Sequence, residues 1–366
     1  MTTRVPRILI AGGGTGGHVY PAIAIADAIR SQSPDSAIAF AGTQEKLEWT
    51  AVPKAGYPIH PITVQGFHRG SIKRNIPFPF KLLAGLMQSW RLVGDFDPDI
   101  VVGTGGFVSG PVLYAAHKRK RPIVIQEQNA FPGITNKLLS RYAHTIHIAF
   151  KEAIPHLGNR NCILSGNPTR AILQESLRDK ALTYFEIPYD AQVLLVFGGS
   201  LGSAGINKIM ETMISNLLAK DNVYVIWQTG SMYYDDIAKR NSMHPRLKLL
   251  KYIDHMEYAY AVADLAVVRS GAITCSELTI TGTPSILIPS PNVAEDHQTN
   301  NAKSLASEGA ALLVPEKSMH DVLLDTILKA LKDSEGLQNM REAAKKLARP
   351  NAAKDIAASI LGIVNS

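Results

Sequence analysis

The sequence predicts an α/β protein of two Rossmann-like halves, each built on a parallel sheet covered by helices on both faces. Three observations carry that prediction. Short continuous apolar runs alternate with helical stretches: "RILIAG", "AIAFAG", "DIVVGT", "PIVIQE" and "TIHIAF", then "VLLVFGG", "VYVIWQTG", "LKLLKYI", "LAVVRS" and "PSILIP". Runs of this kind mark strands buried on both faces. The passage "VLLVFGGSLGSAGINKIMETMI" repeats the strand, glycine turn and helix of the opening "ILIAGGGTGGHVYPAIAIADAI". A chain of 366 residues is also long enough to fill two hydrophobic cores.

Taken in order, the first strand runs into Gly12, Gly14 and Gly17, a G-x-G-x-x-G pattern, and then into a helix beginning near His18. Bare glycine backbone can close on a phosphate, and the helix start adds N–H groups and positive dipole. A dinucleotide site would also need an acid at the end of the second strand, about 20 residues on. That strand ends in Gly42-Thr43, with Glu45 the nearest acid. The glycines therefore indicate phosphate without indicating NAD.

A second loop, "GTGGFVSG", follows strand "DIVV", and Pro111 suits the first turn of the helix after it. The seam between the halves falls near "ILSGNPTRAIL", where Gly166 and Pro168 interrupt the pattern. A third loop, "GGSLGS", follows strand "VLLVF". Three glycine loops at the carboxyl ends of strands fall where open α/β sheets place ligands, so one phosphate-rich cleft is expected. In "RSGAITCSELTITGTPSILIP", Ser270-Gly271 opens a helix after "LAVV", and Glu277 lies about two turns in. A carboxylate there can accept from both hydroxyls of a ribose, or be an ordinary solvated helix residue. "AEDHQTNNA" sets Glu295, Asp296, His297 and Gln298 at another helix start, as N-cap chemistry or as polar contacts to a sugar. The tail "REAAKKLARPNAAKDIAASILGIV" reads as two helices broken at Pro350.

Composition narrows the classes. Apolar residues make up 46% and charged residues 19%, the balance of a soluble globular chain. The net charge of +7 points to an anionic partner: nucleic acid, acidic membrane or phosphate-bearing substrate. The two cysteines, Cys162 and Cys275, lack metal spacing and suit a reducing compartment. "MTTRVPRILIAGGG" gives no signal-peptide core, and no run reaches the roughly 18 apolar residues of a membrane span, so membrane contact would be peripheral. The stretch "VQGFHRGSIKRNIPFPFKLLAGLMQSWRLV" mixes Arg69, Lys73, Arg74 and Lys81 with Ile76, Phe78, Phe80, Leu83, Met87 and Trp90. That mixture fits an anionic bilayer surface, or a core helix with a solvated basic face. "HKRKR", residues 117 to 121, is a second basic cluster.

Six co-linear blocks carry a resemblance: "GGGTGGHVYPAIAIA", "GTGGFVSGPV", "QEQNAFPGITNKLLSRYA", "GNPTR", "GGSLGSAGIN" and "RSGAITCSE…DHQTNNA". Together, from about residue 8 to residue 310, they resemble the MurG family of N-acetylglucosaminyltransferases. These enzymes complete the lipid-linked disaccharide-pentapeptide precursor of peptidoglycan. The resemblance implies a GT-B architecture with two Rossmann-like domains facing across a cleft. Residues 1–165 would form the acceptor and membrane side, and 166–349 the UDP-GlcNAc side. The last helix, about 350–366, would pack back on the first domain, which periodicity cannot show. The resemblance also implies that no metal or other cofactor is required. The implied partners are UDP-GlcNAc, undecaprenyl-pyrophosphoryl-MurNAc-pentapeptide, an anionic membrane surface and other cell-wall enzymes, with no nucleic acid. The implied place is the cytoplasmic face of the inner membrane.

Position by position, the resemblance implies donor contacts at Thr15, Gly16, Gly17 and Asn129, then at Arg170, Ser200 and Ile253. The run Ala272, Ile273, Thr274, Cys275, Ser276 and Glu277 follows, with Gln298. Ser200 and Arg170 would meet phosphate, Ile253 would offer backbone to uracil, Glu277 would take the ribose and Gln298 the sugar hydroxyls. The acceptor side would be Gly14, Gly105, Gly106, Phe107 and Ser109. Two positions depart from many relatives, which have tyrosine where this chain has Phe107 and a second glutamine where it has Thr299. Phe107 is thereby left a packing role in place of a hydroxyl contact to the acceptor, and one sugar contact would be made differently.

The implied reaction is attack by the C4 hydroxyl of MurNAc on the anomeric carbon of UDP-GlcNAc, with inversion to a β(1→4) product. It needs one base for the hydroxyl proton and electrophilic help for departing UDP. His18, at a helix N-terminus that disfavours imidazolium, is expected as that base, or else as a cap on its loop. Glu127 in "QEQN" is the rival base, or a group that orients His18 or the acceptor. Other readings are a lipid glycosyltransferase, a UDP-sugar 2-epimerase and a non-catalytic nucleotide-sugar-binding subunit at the membrane.

Overall fold

Each of the ten apolar runs becomes a strand, and the strands fall into two parallel sheets. The computed structural model describes residues 5–66, 76–158, 161–169, 173, 177–241 and 244–366. The chain divides into two compact units, Met1–Thr169 with Asn351–Ser366, and Arg170–Pro350.

In the first unit, strands β1 (Arg7–Gly12), β2 (Ala37–Gly42), β3 (Ile59–Pro61), β4 (Ile100–Gly105), β5 (Ile123–Glu127), β6 (Thr145–Ile148) and β7 (Cys162–Leu164) lie in the order β3-β2-β1-β4-β5-β6-β7. The order reverses direction between β1 and β4, whose registers pair Ile8 with Ile100 and Leu9 with Val101. Odd and even residues of β1 serve opposite cores, Ile8 and Ile10 on one face and Leu9 and Ala11 on the other. That is why the strand reads as continuously apolar. Helices α1 (Gly16–Gln32), α2 (Glu48–Lys54), α3 (Phe78–Phe96), α4 (Ser109–Lys118) and α5 (Ile134–Leu139) connect these strands.

Helix α3 sits against the sheet with its small residues inward. Gly85, Ser89 and Val93 are buried, while Ile76, just before the helix, and Phe80, Leu83, Met87 and Trp90 along it are exposed. A Cβ on Gly85 would stand 2.5 Å from the Thr63 carbonyl, so only glycine admits so close an approach. The helix thus meets the core through Val93, with Leu92 and Phe96 packed against it, while the large stripe of the "PFKLLAGLMQSW" segment stands outside. The guanidinium of Arg119 lies 4.3 Å from the centre of the Trp90 ring, which brings the "HKRKR" cluster against this stripe. Arg69, Lys73 and Arg74 lie outside the described residues.

The second unit repeats the plan. Strands β8 (Gln192–Phe197), β9 (Val223–Gln228), β10 (Leu247–Leu250), β11 (Leu265–Val268), β12 (Ser285–Leu287) and β13 (Leu312–Leu313) run in the order β10-β9-β8-β11-β12-β13. Helices α6 (Arg178–Phe185), α7 (Ala204–Leu218), α8 (Tyr234–Arg240), α9 (Met256–Val262), α10 (Ala272–Thr281), α11 (His297–Ser307), α12 (Met319–Lys332) and α13 (Ser334–Leu347) accompany them. The final helix α14 (Ala352–Val364) belongs to the first unit, where Ile356, Ala357 and Ile360 join the core of Ile8 and Ile25. His147 fastens it: Nδ1 lies 2.6 Å from Ser165 Oγ, and Nε2 3.1 Å from Ser359 Oγ. Burial pushes the His147 imidazole down to about 4. Among the described residues no helix is long and apolar enough to cross a membrane.

Candidate active site

The first unit gathers its polar chemistry at the carboxyl ends of β1, β4 and β5, where the strand order reverses. Open α/β sheets form their ligand crevice at such a point. The loop after β1 and the loop after β4 hold each other: Gly13 N donates to Gly105 O at 3.3 Å. Ser109 ties them further, its hydroxyl donating to Ala11 O at 2.7 Å and lying 2.8 Å from Gly105 O. That hydroxyl is fully buried and shapes the two loops, so any part Ser109 has on the acceptor side goes through them.

His18 occupies the first turn of α1. Its Nδ1 lies 3.0 Å from Thr104 O and 2.9 Å from Gln128 Oε1, both acceptors, so Nδ1 carries a proton and the neutral ring has its lone pair on Nε2. Gly105, at φ +104°, makes room for the ring, because a Cβ there would stand 2.7 Å from Nδ1. Thr104 Oγ1 donates to the His18 carbonyl at 2.9 Å and fixes the turn from below. Gly14, Thr15 and Gly17 are exposed beside the ring in sequence, Gly16 is half-buried, and Phe107 is exposed next to Gly106.

Glu127 is buried and turned the other way along the strand. Its oxygens accept from Asn129 N at 2.9 Å, Asn129 Nδ2 at 3.3 Å, Gly133 N at 3.3 Å and Asn136 Nδ2 at 2.7 Å. These four bonds order the loop leading into α5 and hold Asn129. The side chain that meets His18 is its neighbour Gln128. Glu48 was also invisible to sequence reading, since nothing in "TQEKLEWT" marks it. It is fully buried, with Oε2 accepting from Gly14 N at 2.9 Å and Oε1 from Thr43 N at 3.0 Å.

In the second unit the corresponding place lies between β8 and β11. The "GGSLGS" loop leaves Ser200 and Leu201 exposed. Beneath it Gln228 donates from Nε2 to Gly199 O at 2.9 Å and accepts from Ile253 N at 2.8 Å through Oε1. The Ile253 N–H is thereby occupied, and a base there could use its carbonyl. Ser203 caps α7, and its hydroxyl also accepts from Arg269 Nη2 at 2.7 Å. Arg269, unremarked in the sequence beside Ser270, is a buried cation matched by Glu316 at 2.5 Å and by the carbonyls of Ile288 and Pro289. It supports the loop from within.

Helix α10 starts at this point with Gly271 as its N-cap. Ala272 and Cys275 are buried, whereas Ile273, Thr274, Ser276 and Glu277 are half-buried. Burial pushes the Cys275 thiol up to about 12, so that residue can offer a ligand its backbone and not a thiolate. Tyr260 donates its hydroxyl to Glu277 Oε2 at 3.0 Å, which orients the carboxylate. Gln298 spends its oxygen on Ser290 N at 2.9 Å, and its carbonyl accepts from Ser270 Oγ at 2.8 Å. Its side-chain NH2 is what a sugar would meet. Arg170 lies outside the described residues. No group of three or more His, Cys, Asp or Glu that could hold a metal occurs among the described residues.

Comparison with known proteins adds to this geometry. Residues 8–148 match the model of the glycosyltransferase family 28 N-terminal domain, and residues 193–356 that of its C-terminal domain. A Salinibacter ruber protein called UDP-N-acetylglucosamine--N-acetylmuramyl-(pentapeptide) pyrophosphoryl-undecaprenol N-acetylglucosamine transferase is 53% identical over 365 residues, covering 100% of this chain and 99% of its own. The crystal structure of Acinetobacter baumannii MurG matches with a TM-score of 0.79 and 28% identity, over 98% of this chain and 99% of that one. The UDP-GlcNAc 2-epimerase of Neisseria meningitidis, bound to UDP-GlcNAc, matches with a TM-score of 0.67 at 13% identity, over 97% of this chain and 100% of that one, a likeness of fold alone. With its two Rossmann-like units in the GT-B fold, the chain belongs to glycosyltransferase family 28.

Proposed function

We propose that this protein transfers GlcNAc from UDP-GlcNAc to the C4 hydroxyl of MurNAc in undecaprenyl-pyrophosphoryl-MurNAc-pentapeptide, with inversion at the sugar, in peptidoglycan synthesis. The observation that carries the chemistry is the pair of acceptors at His18 Nδ1, which places the lone pair of the neutral ring on Nε2. Nε2 takes the proton of the C4 hydroxyl as that oxygen attacks the anomeric carbon. The proton stays on His18, and the sugar–phosphate bond electrons leave with UDP. Full-length identity of 53% to a transferase of that printed name supports the same substrates.

The second unit holds the donor in this reading. Glu277, already oriented by Tyr260, accepts from the ribose hydroxyls, and the Ile253 carbonyl meets the uracil. The N-terminus of α10 and the exposed Ser200 meet the diphosphate, where helix dipole and hydroxyl offset charge as UDP departs. Gln298 meets the GlcNAc hydroxyls, with Arg170 as a further phosphate contact. In this reading Thr15, Gly16, Gly17 and Asn129 are further donor contacts, and Gly14, Gly105, Gly106 and Phe107 are acceptor contacts. The reading assigns no step to a metal.

The apolar stripe of α3, flanked by Lys81 and Arg119, is the surface that meets an anionic bilayer. It fits peripheral attachment at the cytoplasmic face of the plasma membrane, where the lipid acceptor lies. The test is to incubate the purified protein with labelled UDP-GlcNAc, with and without the lipid-linked muramyl acceptor. UDP release that depends on the acceptor, with label moving to the lipid, is the expected result. Isomerised donor formed without acceptor would make the protein an epimerase, and no turnover under either condition would leave a binding subunit.

A further inference from the structure

Gln128 touches both the His18 ring and the other group that faces the ring. Its Nε2 lies 2.7 Å from Thr104 O and 3.1 Å from Gln126 O. Carbonyls only accept, so that end of the carboxamide is the NH2 and the oxygen is the end facing His18 Nδ1 at 2.9 Å. The amide is held from behind in turn. Gln126 Nε2 donates to Asn167 Oδ1 at 2.9 Å, and Asn167 Nδ2 donates to Gln128 O at 3.0 Å. The side chains of Gln126 and Gln128 are also hydrogen-bonded to each other. All three amides are buried, where reversing one would set donor against donor along the whole chain.

We infer that Gln128 is a positioning residue for the transfer. It fixes the Nδ1–H tautomer of His18 and aims Nε2 outward, with Gln126 and Asn167 locking its own orientation. The inference rests on the reading of His18 as the base. It moves the orienting role from Glu127, whose four bonds serve its own loop, to the next residue of "QEQN". Strand alternation sends the two side chains to opposite sides. The carbonyl of Thr104 alone leaves the ring a single acceptor about which it can swing.

The test replaces Gln128 with methionine, which keeps length and removes both hydrogen-bonding ends. In the purified, ligand-free protein labelled with 15N-histidine, the ring signals of His18 are those missing from His18→Ala. Wild type is expected to show a protonated Nδ1 and an unprotonated Nε2, and Gln128→Met an averaged pair. With UDP-GlcNAc and a water-soluble acceptor, kcat of Gln128→Met should fall about tenfold or more while the donor KM stays within about twofold, the scale seen when a buried partner of a functional histidine is removed. Gln128→Glu, as the buried acid, keeps an oxygen toward Nδ1 and an O–H toward Thr104 O, and is expected to keep Nδ1 protonated, so it decides the matter if the methionine variant does not fold. Wild-type ring signals in Gln128→Met, or a lost tautomer in folded Gln128→Glu, overturn the inference. Averaged signals with unchanged kcat would keep Gln128 as the orienter and remove His18 as the base.

Discussion

The two units carry the same motif, a strand, a glycine loop and a helix at the switch point of a parallel sheet, and put it to different uses. In the first unit the loops after β1 and β4 close on each other through Gly13, Gly105 and buried Ser109. What remains accessible is the tip at Gly14, Thr15 and Gly17, exposed Phe107, and the half-buried ring of His18. In the second unit the loop after β8 is propped up from beneath by Gln228, Ser203 and the buried Arg269 cation, and its tip stands open at Ser200. Closing a glycine loop with a neighbouring loop and a carboxylate occupies the amides of Gly13 and Gly14 and suits the precise placement of a base. Propping it from below leaves its outer edge for an anion. A glycine pattern therefore specifies a turn, and the residues packed around the turn decide what it holds.

The largest expected effect separates the units by kinetics. His18→Ala should lower turnover by about a hundredfold or more with the donor KM nearly intact, the usual scale for loss of a general base. Near-normal turnover in a folded variant would break the contrast at its centre.

Glu277→Ala should do the reverse and raise the donor KM by about tenfold, since the ribose hydroxyls lose a charged acceptor. UDP-GlcNAc should lose more affinity than its 2′-deoxy counterpart in a binding titration. Equal losses would show that Glu277 does not contact the ribose.

A matched pair of serines sharpens the same distinction. Ser109→Ala should cost about 1–3 kcal/mol of stability in a denaturant titration, because buried loop groups lose their partner. Ser200→Ala should leave stability unchanged and raise the donor KM a few-fold.

The smallest effect concerns the membrane face of the first unit. Lys81→Gln and Arg119→Gln should each weaken binding to anionic vesicles by about 1 kcal/mol, and added salt should weaken wild-type binding likewise. Activity on a short-chain, water-soluble acceptor should persist. Vesicle binding that ignores both changes at low salt would make the exposed stripe of α3 an ordinary surface.

The sequence by itself determined the alternation of strands and helices, because a central strand of a parallel sheet is buried on both faces and must be apolar throughout. It also determined the glycine turns and the proline break before the last helix. It missed β3, β7 and β13, which have three, three and two residues at sheet edges and leave no apolar run to read. It named His18 but could not find what holds it, since Thr104 and Gln128 lie 86 and 110 residues away along the chain. For α3 the large residues recur every three or four positions, the pattern of a buried face, yet Phe80 is 75% exposed and Trp90 48% exposed. Helical periodicity shows that a stripe exists and is silent about which side it faces. The tertiary structure decided that, because the close approach at Gly85 leaves room for small side chains alone.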